Sequence, residues 1–155
     1  MTGSDAARPV LLAVASGGGH WVQLMRMHAA FAGFDPVYVS TLKGYEHMIG
    51  GAPIYIVSDS SRFDVRPLLP TFATAIKVYL RHRPKVLITT GSAPALPFVL
   101  LGRLFGCRTL WVDSIANGER LSSSGRIARK FATKVISQWP EVAQSEGVEC
   151  WGRII

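Results

Sequence analysis

A chain of 155 residues with 48% apolar content holds enough material for one hydrophobic core, which excludes an intrinsically disordered protein. Seventeen Lys and Arg against ten Asp and Glu leave a net charge of +7, so an anionic counterpart is expected: nucleic acid, anionic lipid or a phosphorylated substrate. Only 17% of the residues are charged, which leaves apolar surface for a partner or a membrane. The longest apolar patch, residues 93–105, carries Pro94, Pro97 and Arg103 and falls short of the ~20 residues that span a bilayer. Residues 1–8 are polar, lack the apolar core of a signal peptide, and read as a disordered tail ahead of a single domain over 9–155. Cys107 and Cys150 have no metal-ligand spacing and read as buried thiols in a reducing compartment. The expected location is cytoplasmic, with attachment to a membrane surface left open.

In chain order, Val10–Ala15 is an apolar run of strand length that meets Ser16-Gly17-Gly18-Gly19-His20. Helical spacing follows over residues 21–32, with Trp21, Leu24, Met25, His28 and Phe31 on one side and Gly33 as its stop. Residues 36–41 form a second strand, 43–48 a short helix and 53–57 a third strand. Residues 58–66 are a polar, exposed loop. Pro67 opens a helix to about His82, at a position where proline sacrifices no hydrogen bond. A fourth strand over 85–89 leaves through Thr90-Gly91-Ser92-Ala93-Pro94. A helix over 96–105, a fifth strand over 108–112 and the exit loop 113–119 come next. Ser122 or Ser123 caps a helix running to Thr133; a sixth strand (134–137) and a short last strand within 147–151 complete the series.

Strict alternation of strands and helices predicts an α/β fold, a Rossmann-like doubly wound parallel sheet with helices on both faces. With strand order 3-2-1-4-5, ligands belong at the carboxyl ends of strands 1 and 4, where the loops 16–20, 90–94 and 113–119 converge. The glycine loop brings unpaired amides at a helix start close to an incoming oxygen-rich ligand. It is a poor dinucleotide fingerprint, because the third glycine position is Val22 and strand 2 ends in Val39-Ser40-Thr41 with no acid for a ribose. No Lys-Ser/Thr pair follows the glycines, which excludes a P-loop. A diphosphate or sugar cradle and a purely structural turn remain.

His20 stands at a helix start, where the dipole favours neutral imidazole and a proton can be taken from an attacking hydroxyl; simple packing is the alternative role. Asp113 closes strand 5 on the same side, where it could orient the histidine or a sugar, or merely cap a turn. Ser92 could bond a phosphate or sugar oxygen, and lies in no G-x-S-x-G nucleophile elbow. Neither the histidines nor the cysteines have metal-ligand spacing, and no metal and no cofactor is expected. The aromatic residues are not interleaved with the basic ones, so nucleic acid is not the expected partner, whereas a membrane surface or lipid diphosphate fits better.

Five motifs in order carry a resemblance over roughly residues 9–155. They are Ser16-Gly17-Gly18-Gly19-His20 with Gln23-Leu24, Thr90-Gly91-Ser92, Val112-Asp113-Ser114, Ser124-Gly125-Arg126, and Ser137-Gln138-Trp139-Pro140-Glu141. Together they resemble the acceptor-side half of two-component GT-B glycosyltransferases. That group includes the PssD-type proteins of bacterial exopolysaccharide synthesis. It also includes the membrane-recruiting subunit of the eukaryotic enzyme that adds the second N-acetylglucosamine to dolichol-linked oligosaccharide. The N-terminal half of MurG is a more distant relative.

The resemblance implies one half of a UDP-sugar-dependent glycosyltransferase, equivalent to the N-terminal half of a GT-B enzyme and inactive alone. A separate donor-binding subunit would hold the UDP-sugar, and the acceptor would be a polyprenyl-diphosphate-linked sugar at the cytoplasmic membrane face. The chain stops about where a crossover to a second domain would begin, in keeping with a split enzyme. His20 and Asp113 would be catalytic in an inverting transfer. Ser16, Gly17, Gly18, Gly19, Gly91, Ser92, Ser114 and Asn117 would bind substrate. Two departures stand out: the family loop commonly has one glycine fewer, and Asp113-Ser114 replaces Glu-Ser. A non-catalytic membrane-docking and activating module is the alternative, and a nucleotide-binding oxidoreductase a weaker one.

Overall fold

The computed structural model describes residues 7–61 and 64–155. The expected N-terminal tail therefore lies mostly outside the described residues, as do Arg62 and Phe63 of the polar loop. Seven parallel strands form one sheet in the order β3-β2-β1-β4-β5-β6-β7. They are β1 (Val10–Ala15), β2 (Asp35–Ser40), β3 (Ile54–Ile56), β4 (Val86–Gly91), β5 (Arg108–Val112), β6 (Lys134–Ser137) and β7 (Glu149–Cys150). The five-strand order expected from the sequence holds, and two strands extend it.

β1 sits at the centre because it is apolar at every position. Leu11 to Ala15 are all buried, as a strand covered on both faces requires. Its even-numbered side chains, Leu12 and Val14, join a core with α2 (Leu68–His82), α3 (Leu96–Leu104), α4 (Ser123–Ala128) and α5 (Pro140–Glu146). Leu11, Ala13 and Ala15 join the opposite core with Trp21, Leu24 and Phe31, which come from α1 (Gly19–Arg26) and the turn behind it. Four helices thus cover one face and α1 the other.

The helix expected over residues 21–32 ends at Arg26, and a tighter 3₁₀ turn over His28–Phe31 takes its place. Apolar residues three apart satisfy either helix type, and the tighter turn still buries Phe31. The helix expected to reach Thr133 stops at Ala128. Thr133 is instead fastened to β5, where reciprocal bonds with Thr109 of 2.9 and 2.8 Å replace helical ones. Among the described residues no helix is long and apolar enough to cross a membrane.

Both cysteines are free thiols; Cys107 is buried beneath α3 and Cys150 only half-buried in the edge strand β7. Burial pushes the Cys107 thiol up to about 11. The reactive thiolate is then scarce at neutral pH. Alkylation of Cys107 at pH 8 is expected to run about 100-fold slower in the folded protein than in urea. Mass-spectrometric counting of the label checks this, and equal rates would contradict the burial.

Candidate functional site

The site begins with an irregularity in the sheet. β1 and β4 pair in steady register up to Val14 with Thr89, and the next pair is Ala15 with Gly91. Thr90 is therefore an extra residue, bulged out of the ladder, and a bulge re-aims the groups it frees. Both go to His20. The Thr90 carbonyl accepts from His20 Nδ1–H at 2.7 Å, and Thr90 Oγ1 donates to the His20 carbonyl at 2.6 Å. Because a carbonyl can only accept, Nδ1 carries a proton, and the tautomer this selects has Nε2 as its proton acceptor. Among the described residues Nε2 has no hydrogen-bond partner. Gly91 lies directly beneath the ring at φ +100°, and a Cβ there would meet His20 Cε1 at 3.2 Å. The histidine therefore lies on a glycine floor.

The glycine loop is held differently from expectation. The amide of Gly17 donates to Thr41 Oγ1 at 2.9 Å and that of Gly18 to the Tyr45 hydroxyl at 3.0 Å. Tyr45 is in turn stacked on Trp21 of α1, with ring centroids 4.3 Å apart. These two amides are committed within the fold, which corrects the expectation that the whole loop is an open cradle. No side chain caps α1, so its first-turn amides, beginning at the exposed Gly19, are what the loop offers a ligand. Thr41 and Tyr45 carried no sequence signal, since they approach only through tertiary packing.

Ser16 and Ser92 meet across the β1–β4 seam with their hydroxyls 2.7 Å apart, and Ser16 Oγ also accepts from the Ser92 amide at 3.1 Å. One hydroxyl proton of the pair is left over. Ser16 is buried and Ser92 partly exposed, so Ser92 is the better placed to donate it outward.

Asp113 does not pair with His20, contrary to one expected role. Its buried carboxylate accepts from Trp111 Nε1 (3.0 Å), Asn117 Nδ2 (3.1 Å), Ser122 N (2.8 Å) and Ser122 Oγ (2.6 Å). Four donors fill its oxygens and lock the loop after β5 onto the start of α4. Asn117, expected to bind substrate, is partly exposed and donates one Nδ2–H to this knot. Ser114, also expected to bind substrate, is buried. Its hydroxyl accepts from Gln23 Nε2 at 3.2 Å and the Ala116 amide at 3.3 Å. The charge and hydroxyl read as ligand contacts are used to build the loop.

Two glutamines complete the arrangement. Gln138 Nε2 donates to Gln23 Oε1 at 2.8 Å and to the Asp113 carbonyl at 3.0 Å, and its own Oε1 accepts from the Ile154 amide at 2.8 Å. α1, the β5 exit and the β6 exit are thereby joined under the site. Both residues lie in motifs quoted above, yet nothing local marks a glutamine as buried.

The match to the family described as "Oligosaccharide biosynthesis protein Alg14 like" spans residues 56–154, more than half of the chain. The chain belongs to the Alg14-like family. A UDP-N-acetylglucosamine transferase subunit ALG14 of Yarrowia lipolytica is 34% identical over 80 residues, covering 48% of this chain and 37% of that protein. Its Candida albicans counterpart is 24% identical over 163 aligned positions, covering 89% and 74%. The fold of this Alg14-like chain is similar to Acinetobacter baumannii MurG (TM-score 0.70, 17% identity, covering 86% of this chain and 43% of that one). It is also similar to UDP-GlcNAc 2-epimerase of Methanocaldococcus jannaschii (TM-score 0.68, 14% identity, covering 90% and 43%). The chain thus spans less than half of each of these solved structures and of the Yarrowia protein.

Removing the Asp113 carboxylate would leave the buried Trp111 Nε1–H and the Ser122 amide without acceptors. Asp113→Ala is expected to lower unfolding stability by about 3 kcal/mol or more. Ser122→Ala, which loses chiefly a helix cap, is expected to cost about 1 kcal/mol. Urea denaturation distinguishes the two, and equal losses would mean that the knot carries no special stability.

Proposed function

We propose that this chain is the acceptor-side half of a UDP-sugar-dependent glycosyltransferase. It works with a separate donor-binding subunit on a polyprenyl-diphosphate-linked sugar at the cytoplasmic face of a membrane. Family membership supports the transferase class. The observation that carries the site is the His20 imidazole, clamped through Nδ1–H to Thr90, with Nε2 unpartnered among the described residues. In an inverting transfer, the acceptor hydroxyl attacks the anomeric carbon of the donor sugar as the bond to UDP breaks. Nε2 takes the hydroxyl proton, and UDP departs on the partner's side of the cleft. The open first-turn amides of α1 and the spare Ser92 hydroxyl suit the acceptor's diphosphate or sugar oxygens. Asp113 acts as a positioning residue through the loop it knots together.

Eukaryotic relatives carry the name UDP-N-acetylglucosamine transferase subunit, so N-acetylglucosamine transfer to lipid-linked oligosaccharide is the first activity to assay, ahead of exopolysaccharide assembly. A companion chain with a UDP-sugar site is expected to co-purify, and neither chain should transfer sugar alone. In the reconstituted pair, His20→Ala is expected to reduce turnover by about 100-fold or more while leaving the fold and partner binding intact. Unchanged turnover would make the chain a docking and activating module with all the chemistry in its partner.

A further inference from the structure

Beyond β7 the chain turns at Gly152, whose φ of +106° lies in the left-handed region that favours glycine. The turn brings the following residues back against the β6 exit. There the Ile154 amide donates to Gln138 Oε1 at 2.8 Å, and the Ile154 carbonyl accepts from Arg26 Nη1 at 3.4 Å. Pinned on both sides, Arg153 lies over the Trp139 ring, with its guanidinium carbon 4.1 Å from the ring centroid. Trp139 is itself fixed. Its Nε1 donates to the Ile115 carbonyl at 2.7 Å, and a Cβ on Gly118 would meet the ring at 3.4 Å.

A guanidinium stacked on an indole is held through its face, whereas its N–H donors all lie in its plane. The stack therefore orients the fork without consuming a donor. Among the described residues Arg153 is exposed and has no hydrogen-bond or ion-pair partner; the ion pairs there use Arg66, Arg126, Arg129 and Lys134 instead. Neither Glu119 in the β5 exit loop nor Glu141 at the head of α5 pairs with it. The Asp113 carboxylate is filled by its four donors. A cation that is already oriented and has no acid beside it is preorganised for an anion from outside the chain.

We propose that Arg153, held flat on Trp139, binds the diphosphate group of a substrate at the carboxyl ends of the strands. A planar fork matches two oxygens of a phosphate at once, which a free lysine does not. The topology supplies the spacing. His20 is tied to Thr90 at the end of β4, and Trp139 follows the end of β6 two strands away, a separation of about 10 Å. The bond to Ile115 draws the indole to the β5 exit, between the two. One sugar unit bridges that interval. An acceptor hydroxyl at His20 Nε2 would thus carry its own diphosphate, one sugar ring away, to Arg153. The first-turn amides of α1 and the Ser92 hydroxyl are then left for sugar oxygens. The inference deepens the proposed transferase reading and rests on it for its purpose, but its binding test does not.

The test uses the full chain carrying 5-fluorotryptophan, with the Trp139 fluorine resonance assigned through Trp139→Phe. It is titrated with farnesyl diphosphate and, in a second arm, with UDP, each with the chain alone and with its companion subunit. A saturable shift of the Trp139 resonance is expected in at least one arm. Arg153→Gln should weaken that binding by about 10-fold or more, the usual worth of a hydrogen bond between charged groups. Arg153→Lys should recover only part of it, because a point charge lacks the fork. Arg120, exposed nearby in sequence with no acid or ring contact among the described residues, is the control; Arg120→Gln should change binding by less than about 2-fold. Thermal unfolding of the Arg153 variants should match the parent, since the side chain is exposed. A response to farnesyl diphosphate assigns the site to the acceptor's diphosphate, as the spacing favours, and a response to UDP alone assigns it to the donor's. No shift in either arm, undiminished binding by Arg153→Gln, or an equal loss in Arg120→Gln would overturn the proposal. Loss of companion association in Arg153→Gln would assign the residue to a protein contact and overturn it too. If the pair transfers no sugar while diphosphate binding behaves as expected, the transferase reading fails and the Arg153 site stands.

Discussion

The bulge at Thr90 is the constraint on which the candidate site depends. A regular β4 would spend Thr90's backbone on β1, as its neighbours do, and His20 would have no fixed acceptor for its ring proton. One extra residue on β4 frees the Thr90 carbonyl from the ladder, and that carbonyl and the Thr90 hydroxyl both close on the same histidine. The tautomer follows from that contact, and so does the availability of Nε2. Gly91, next along the strand, completes the device by leaving space for the ring. A sheet irregularity, a glycine and a helix start thus act as one unit.

Around this unit the polar groups are divided between support and exposure. Asp113, Ser114, Asn117, Gln23 and Gln138 face inward and satisfy one another. Buried polar groups are costly unless paired, so a network of this completeness holds its loops in one arrangement. Outward-facing groups among the described residues include His20 Nε2, the amides at the head of α1, and one hydroxyl of the Ser16–Ser92 pair. The loops present a few chemically useful points, in keeping with the half-cleft proposed above. The cations are also uneven along the chain, with seven Lys and Arg and no acid between Asp64 and Asp113.

Much of this was legible in the sequence because it depends on local pattern. The unbroken apolar run of β1, the alternation of strands and helices, and the glycine stops predicted the sheet order and the end of the sheet on which the site lies. His20 and Ser92 were identifiable because each follows a central strand in a glycine-containing loop. Helix lengths were less legible: residues spaced three apart suit a 3₁₀ turn as well as an α-helix, so Phe31 kept its burial while the helix ended at Arg26.

By itself, the sequence determined the fold class, the crevice and the family resemblance, since periodicity, turn chemistry and motif order are properties of the chain read in one dimension. Only the tertiary structure decided what each polar side chain does there. Asp113 became the centre of a knot, Gly17 and Gly18 gave their amides to Thr41 and Tyr45, and Thr90 became the partner of His20. The reason is physical: a carboxylate, hydroxyl or amide bonds to whatever the fold brings within about 3 Å. Gly17 and Thr41 are 24 positions apart, and His20 and Thr90 are 70 apart, and they reach that distance only after the sheet has closed.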